Sequence, residues 1–141
     1  MRRDARRAKK RNGQSLADAT LEDFVRSALA HGHPAYLLDL ACSAIHVAQR
    51  GEGRLDNILT GLIGTRNREI TGLLAVIAEL LDDKPAAQLR CRQELAERDE
   101  HLPRWIAALP QIDVYRAVRR THVLGDADEL VLGARVKIGR A

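Results

Sequence analysis

Apolar residues recur with the period of an α-helix in the middle of the chain, and this pattern constrains the fold more than any other feature. Between about Arg66 and Asp82, the large aliphatic residues fall on one face of a predicted helix: Ile70, Leu73, Leu74, Ile77, Leu80 and Leu81. A second segment, about Ala35 to Arg50, is apolar on most sides and has a single polar strip. Helices with such faces are stable only when they pack against other helices. The sequence therefore predicts a helical bundle.

Glycine and proline residues divide the rest of the chain into further elements. A first helix is predicted to begin near Ser15 or Thr20. Further helices are predicted at about 35–50, 55–63, 66–82, 86–100 and 111–120, with a short helical turn at Trp105. In the helix at 86–100, Leu89, Leu95 and Ala96 are expected to face inward, opposite an exposed face rich in Arg and Glu. From Glu129 to Ile138 the pattern becomes extended and β-prone.

The predicted fold class is all-α: a multi-helix bundle of five or six helices with a small C-terminal β element. The predicted domains are a disordered basic arm at 1–14, a helical domain at 15–121 and a β-prone tail at 122–141. A strand at Leu130–Ile138 would present an unpaired edge, which favours pairing with a protein partner or with a second copy of the chain. A protein partner or homodimer through the C-terminal strand is therefore expected.

Positive charge is concentrated in the first eleven residues, which carry seven basic side chains and one acidic side chain in a chain whose net charge is +4. Such a segment can neutralise phosphates in a salt-dependent and sequence-independent way. It is predicted to bind nucleic acid or another polyanion weakly, although an inert solubilising terminus is the alternative. The basic residues concerned are Arg2, Arg3, Arg6, Arg7, Lys9, Lys10 and Arg11.

The 55–81 region offers a different interpretation, a sequence-specific helix-turn-helix protein. Gly64 would supply the turn, and Arg66, Asn67 and Arg68 would begin the recognition helix. Arginine reads guanine and asparagine reads adenine in the major groove of DNA. Against this interpretation, the proposed recognition helix becomes strongly apolar after Glu69, which is typical of a core helix.

No catalytic, cofactor-binding or metal-binding motif with a diagnostic spacing is found in the sequence. Cys42 and Cys91 are predicted to be reduced and buried. Ser43 and His46 are one helical turn apart and lack an acidic residue that would orient the histidine. The sequence therefore predicts a non-enzymatic helical interaction module that needs no cofactor.

The N-terminal charge resembles the start of a signal peptide, but no run of large apolar residues follows it. The most apolar segment, Ala35 to Ala48, is interrupted by polar residues and is too short to span a bilayer. A cytoplasmic location without a membrane partner is expected.

Several segments resemble a group of uncharacterised actinobacterial proteins that have an N-terminal helical region followed by a β-rich region. The resemblance covers about residues 25–136. It rests on Gly32-His33-Pro34 with the helix that follows through Ile45, on Thr71 to Leu80, and on the segment from Leu102 to Asp126. These are packing and turn motifs, so the resemblance implies a helical fold and no reaction or site. It also implies that this chain is a truncated or frame-shifted member, because the β-rich region of the group continues beyond Val136.

Overall fold

The computed structural model describes residues 21–125 and 128–137, and the predicted basic arm at 1–14 lies outside them. The chain divides into two compact units, Met1–Leu102 and Pro103–Ala141. The described part of the first unit contains α1 (21–30), α2 (Ala35–Gln49), α3 (Arg54–Ile63), α4 (Arg68–Leu80) and α5 (Pro85–Ala96). The second contains α6 (Arg104–Ala107), a 3₁₀ turn (Leu109–Gln111) and the strands β1 (Ile112–Thr121) and β2 (Asp128–Val136).

The core of the first unit is built around α4. This helix packs against α2, α3 and α5. Residues on nearly all of its faces are buried: Ile70, Thr71, Gly72, Leu73, Leu74, Val76, Ile77 and Ala78. The apolar stripe that predicted this helix therefore lies in the interior, as expected for the central member of a bundle.

Two local features fix the position of α4. At its start, the Asn67 side chain accepts a hydrogen bond of 2.8 Å from the Ile70 backbone N–H, which caps the helix. In its middle, Gly72 allows a close approach to the first helix, since a Cβ there would lie 3.3 Å from both terminal methyl groups of Leu29. The helix is thus held by a polar cap at one end and by close packing along one side.

The two strands form an antiparallel hairpin. Cross-strand partners run from Ile112 opposite Val136 to Thr121 opposite Asp128, and the register shifts by one residue between Val114 and Arg116. Tyr115 is therefore the extra residue of a β-bulge in β1. The fold is thus mostly helical, with one two-stranded sheet among the described residues.

The helix predicted at 111–120 is wrong, because this segment forms strand β1. Ile112, Val114 and Val118 are β-branched residues, which favour extended backbone, and each pairs with a residue of β2. The helical part of the described chain consequently ends at Gln111, earlier than the predicted domain boundary at 121. The extended segment predicted from Glu129 onward is confirmed as strand β2.

The predicted inward face of α5 is also wrong in part. Leu89 is 57% exposed and Ala96 is exposed, whereas Cys91 is fully buried. Cys42, predicted to be buried, is exposed, and both cysteines are free. Burial raises the pKa of the Cys91 thiol, so this group stays protonated and behaves as a small apolar side chain.

Candidate interaction surface

The hairpin separates its side chains into two faces of different character. Residues that pair across the two strands lie on the same face of the hairpin. The strands pair continuously on both sides of Tyr115, which is the extra residue of the bulge. One face, here called the apolar hairpin face, carries seven aliphatic residues: Ile112, Val114, Ala117, Leu130, Leu132, Ala134 and Val136.

The apolar hairpin face is open in the described structure. Val114, Leu130 and Leu132 are each more than half exposed, and Ile112 and Val136 at the end of the hairpin are partly covered. Isolated apolar residues on a surface are ordinary, but a contiguous group of this kind marks a surface that binds another apolar surface. The hairpin therefore exposes a contiguous group of aliphatic side chains among the described residues.

The opposite face, here called the polar hairpin face, is mostly charged. Arg120 and Glu129 form an ion pair of 3.2 Å across the strands. The Tyr115 ring covers Gly133, and the Arg135 guanidinium lies 5.5 Å from the centre of that ring. Val118 and Val131 form the one aliphatic pair on this face. These contacts keep the bulge in a defined conformation and leave the two faces chemically distinct.

The end of the hairpin next to the turn carries a charged pair. Arg119 donates to the Asp128 carboxylate, and this bond, with a second from Thr121, holds the pKa of Asp128 below its ordinary value. The Gly125 N–H donates to the His122 carbonyl in the turn, with a distance of 2.8 Å. The apolar hairpin face is therefore bounded by polar contacts on the side of the turn.

Charge is distributed unevenly between the parts of the chain. Residues 12–102 contain nine Lys or Arg and fourteen Asp or Glu, a net charge of −5. Residues 103–141 contain seven Lys or Arg and four Asp or Glu, a net charge of +3. The hairpin unit is thus basic on its own account, independently of the arm at the N-terminus.

The three residues of the DNA-reading alternative all make contacts within the first unit. Arg66 forms ion pairs with Glu94 at 3.1 Å and with Glu97 at 3.3 Å. Asn67 caps α4 and also donates to the Glu22 carboxylate at 2.9 Å, while the Arg68 Nε donates to a backbone carbonyl at 3.0 Å. Their side chains therefore serve the packing of the bundle.

Helix α4 lacks the shape of a recognition helix. A helix that enters the major groove must present an exposed polar face to the bases. In α4, exposed side chains are confined to the first turn, and the rest of the helix is buried or partly buried. Arg66, Asn67 and Arg68 thus lie together at the start of α4, but the helix that follows them has no exposed face that could contact DNA bases.

Arg98, which lies just after α5, is the polar residue that sequence reasoning missed. Its side chain is 2% exposed. It donates to the Glu94 carboxylate at 2.9 Å, to the Thr71 hydroxyl at 3.0 Å, and to the backbone carbonyls of Leu62 and Ile63 at 3.2 and 3.0 Å. The guanidinium thus satisfies the last carbonyls of α3 and joins α3, α4 and α5.

The Arg98 cluster has the features of a structural site. The pKa of Glu94 lies below its ordinary value because the carboxylate accepts a hydrogen bond from Arg98 and lies near the charge of Arg66. The carboxylate is therefore charged near neutral pH. The acceptors of Arg98 lie on α3, α4 and α5, so its hydrogen bonds connect three helices. The Glu94 to Arg98 spacing of one helical turn was the sequence signal that could have indicated the pair.

The basic residues predicted to bind polyanions, Arg2 to Arg11, lie outside the described residues. Within 21–125 and 128–137, no three His, Cys, Asp or Glu side chains are placed to hold a metal ion together. In the same part of the chain, no helix combines the length and the apolar character needed to cross a bilayer.

Comparisons with protein-family models, with curated proteins and with solved structures give no match to this chain.

Proposed function

We propose that this protein is a non-enzymatic interaction module that binds a protein partner through the apolar hairpin face. The observation that carries this proposal is the exposure of a contiguous aliphatic surface on β1 and β2, where a folded chain would ordinarily bury such residues. The helical unit contributes a stable scaffold in the same chain, and its own apolar residues are mostly occupied in packing around α4.

The energetics favour a partner that covers this face. Complete burial of a Val or Leu side chain contributes about 1.5–3 kcal/mol. With Val114, Leu130 and Leu132 all exposed, covering the face would contribute several kcal/mol toward association, from which the cost of immobilising the partners must be subtracted. The expected partner therefore presents an apolar surface, such as one face of a helix or sheet.

The two faces of β1 give a matched pair of variants. Val114 lies on the apolar hairpin face and is 53% exposed, whereas Val118 lies on the polar hairpin face and is 43% exposed. We expect Val114→Lys to weaken binding of the purified partner at least about tenfold, since a desolvated lysine opposes burial. We expect Val118→Lys to bind within about twofold of the parent protein, because surface substitutions outside an interface have small effects. Isothermal titration with a partner identified by cross-linking measures both values.

Equal affinity of the Val114→Lys and Val118→Lys proteins would show that the apolar hairpin face is not the binding surface. Circular dichroism of both variants provides the control for folding, and the two substitutions are the same chemical change on the same strand.

The N-terminal arm supports a second component, weak binding to nucleic acid or another polyanion. The observation that favours it is the charge of +6 within the first eleven residues, next to a segment, 12–102, whose net charge is −5. Seven basic residues provide no sequence readout, so the expected binding is electrostatic and indifferent to sequence. The helix-turn-helix alternative has less support because Arg66, Asn67 and Arg68 are engaged within the bundle.

Deletion of residues 2–11 distinguishes electrostatic binding by the N-terminal arm from DNA binding by a helix-turn-helix. We expect the deletion to abolish retention on immobilised duplex DNA and RNA, while a protein with Arg66→Ala and Arg68→Ala is retained like the parent. For the parent, the logarithm of the binding constant should fall with the logarithm of salt concentration with a slope of up to about −6. Retention that survives the deletion and is lost in the double variant, with dependence on DNA sequence, would favour the helix-turn-helix function instead.

A further inference from the structure

The two outer edges of the hairpin differ in how well they are protected against pairing. Edge strands of soluble proteins are commonly protected by bulges and by charged residues. Strand β1 has both, since it contains the bulge at Tyr115 and three arginines, Arg116, Arg119 and Arg120. Strand β2 has a regular backbone for nine residues, contains no proline, and has no lysine or arginine before Arg135. No described residue pairs with its outer edge. The β2 edge is therefore the one open to another strand.

The charges of β2 are arranged so that the strand complements itself. Asp128 and Glu129 lie at its start, and Arg135 lies near its end, followed by Lys137. When two copies of such a strand lie antiparallel, the acidic end of each faces the basic end of the other. Opposite charges directly across two strands stabilise pairing, and like charges oppose it. Charge thus favours an antiparallel pair of β2 strands over a parallel one.

Side-chain size selects a register for this pair. With Leu132 on the two-fold axis, Glu129 faces Arg135 of the second copy, Leu130 faces Ala134, and Val131 faces Gly133. A large residue then meets a small one at both pairs that flank the axis. The equivalent arrangement for β1 would place its central Arg116 beside the same residue of the second copy, which like charge disfavours.

We propose that two copies of this chain pair antiparallel through β2, with Leu132 on the two-fold axis, to form a continuous four-stranded sheet. The inference rests on the proposed role of the hairpin in binding, and it names a second copy as the occupant of the β2 edge. Residues that lie opposite each other across this axis point to the same side of the sheet. The apolar hairpin faces of the two copies therefore lie on one side of the four-stranded sheet. The dimer then presents an apolar surface of twice the width to the partner that the proposed function requires.

Cysteine cross-linking tests the register directly. In a Cys42→Ser background, which removes the exposed thiol, Leu132→Cys places two cysteines opposite each other across the axis. Residues directly opposite on antiparallel strands have Cα atoms about 4.5–5.5 Å apart, within the range for a disulfide. Leu130→Cys is the matched control, because four residues separate its two copies along the strand, about 13 Å at about 3.3 Å per residue.

We expect mild oxidation to convert most of the Leu132→Cys protein into a disulfide-linked dimer and to leave the Leu130→Cys protein mostly monomeric. Mixing Leu130→Cys with Ala134→Cys proteins should restore the cross-link, since these residues face each other. Sedimentation velocity of the parent protein should show a reversible dimer. A parent protein that remains monomeric at high concentration, or equal cross-linking of Leu132→Cys and Leu130→Cys, would overturn the inference.

The Val114→Lys variant distinguishes this inference from the proposed function, because Val114 is on β1 and away from the β2 edge. If the dimer forms and Val114→Lys still binds the partner normally, the apolar hairpin face is not the docking surface and the dimer stands. If Val114→Lys loses the partner and no dimer is detected, the docking surface stands and the second copy is wrong as the occupant of the edge.

Discussion

Replacement of Arg98 by alanine is expected to lower the free energy of unfolding by about 3–5 kcal/mol, the range measured when one partner of a buried ion pair is removed. The guanidinium is 2% exposed and donates to Glu94, to Thr71 and to two carbonyls at the end of α3. In the variant the Ile63 carbonyl loses its Arg98 donor and the Leu62 carbonyl keeps the Thr65 N–H. The largely buried Glu94 keeps only the exposed Arg66 as a charge partner. Urea denaturation followed by circular dichroism measures the change.

Arg92→Ala is the matched control for this prediction. Arg92 lies on α5, its side chain is 53% exposed, and its ion pair with Glu79 is 3.6 Å long. Exposed pairs of this kind contribute about 0–1 kcal/mol, so the control should unfold close to the parent midpoint. Similar midpoints for Arg98→Ala and Arg92→Ala would show that the Arg98 cluster does not hold α3, α4 and α5 together.

The sequence predicted the helical unit well because the signals there are local. The apolar stripe at 70–81 has one period over several turns, and only a helix places all its members on one side. Breaks at Gly32, at Gly53 and at Pro85 separate the helices near the predicted positions, and both glycines adopt positive φ angles that other residues rarely adopt. Information of this kind is contained within short segments of the chain.

Strand β1 was missed because its identity depends on a distant segment. Its arginines make the alternation of apolar and polar residues irregular, and the bulge at Tyr115 shifts the alternation by one position. Only pairing with β2 shows that Val114 and Val118 belong to opposite faces of a sheet. For the same reason, no partner within the chain was predicted for the C-terminal strand, although β1 precedes it and pairs with it.

Arg98 was missed because a helix face rich in Arg and Glu is normally exposed to solvent. At the end of α5, this face meets the carbonyl end of α3, where a buried guanidinium can satisfy several acceptors at once. The position of α3 relative to α5 is a property of the folded bundle, and no spacing within 86–100 encodes it. Leu89 was assigned to the interior by the same local reasoning and is exposed.

A pair of leucine variants tests this assignment of inside and outside. Leu74 on α4 has no exposed surface, and Leu89 on α5 is 57% exposed. We expect Leu74→Ala to lower the free energy of unfolding by about 2–5 kcal/mol, because it removes buried methyl groups and leaves a cavity among packed neighbours. We expect Leu89→Ala to change it by no more than about 0.5 kcal/mol. Chemical denaturation of both proteins at one temperature provides the comparison.

The same pair of leucines decides between two arrangements of the bundle. If α5 packed through Leu89, Leu95 and Ala96, as its apolar residues alone suggest, Leu89→Ala would cost as much as Leu74→Ala. The structure has Cys91 and the Glu94 and Arg98 pair on the inward side instead. A large loss of stability in Leu89→Ala would therefore contradict both the rotation of α5 and the buried position of Arg98, because one helix cannot present both faces to α4.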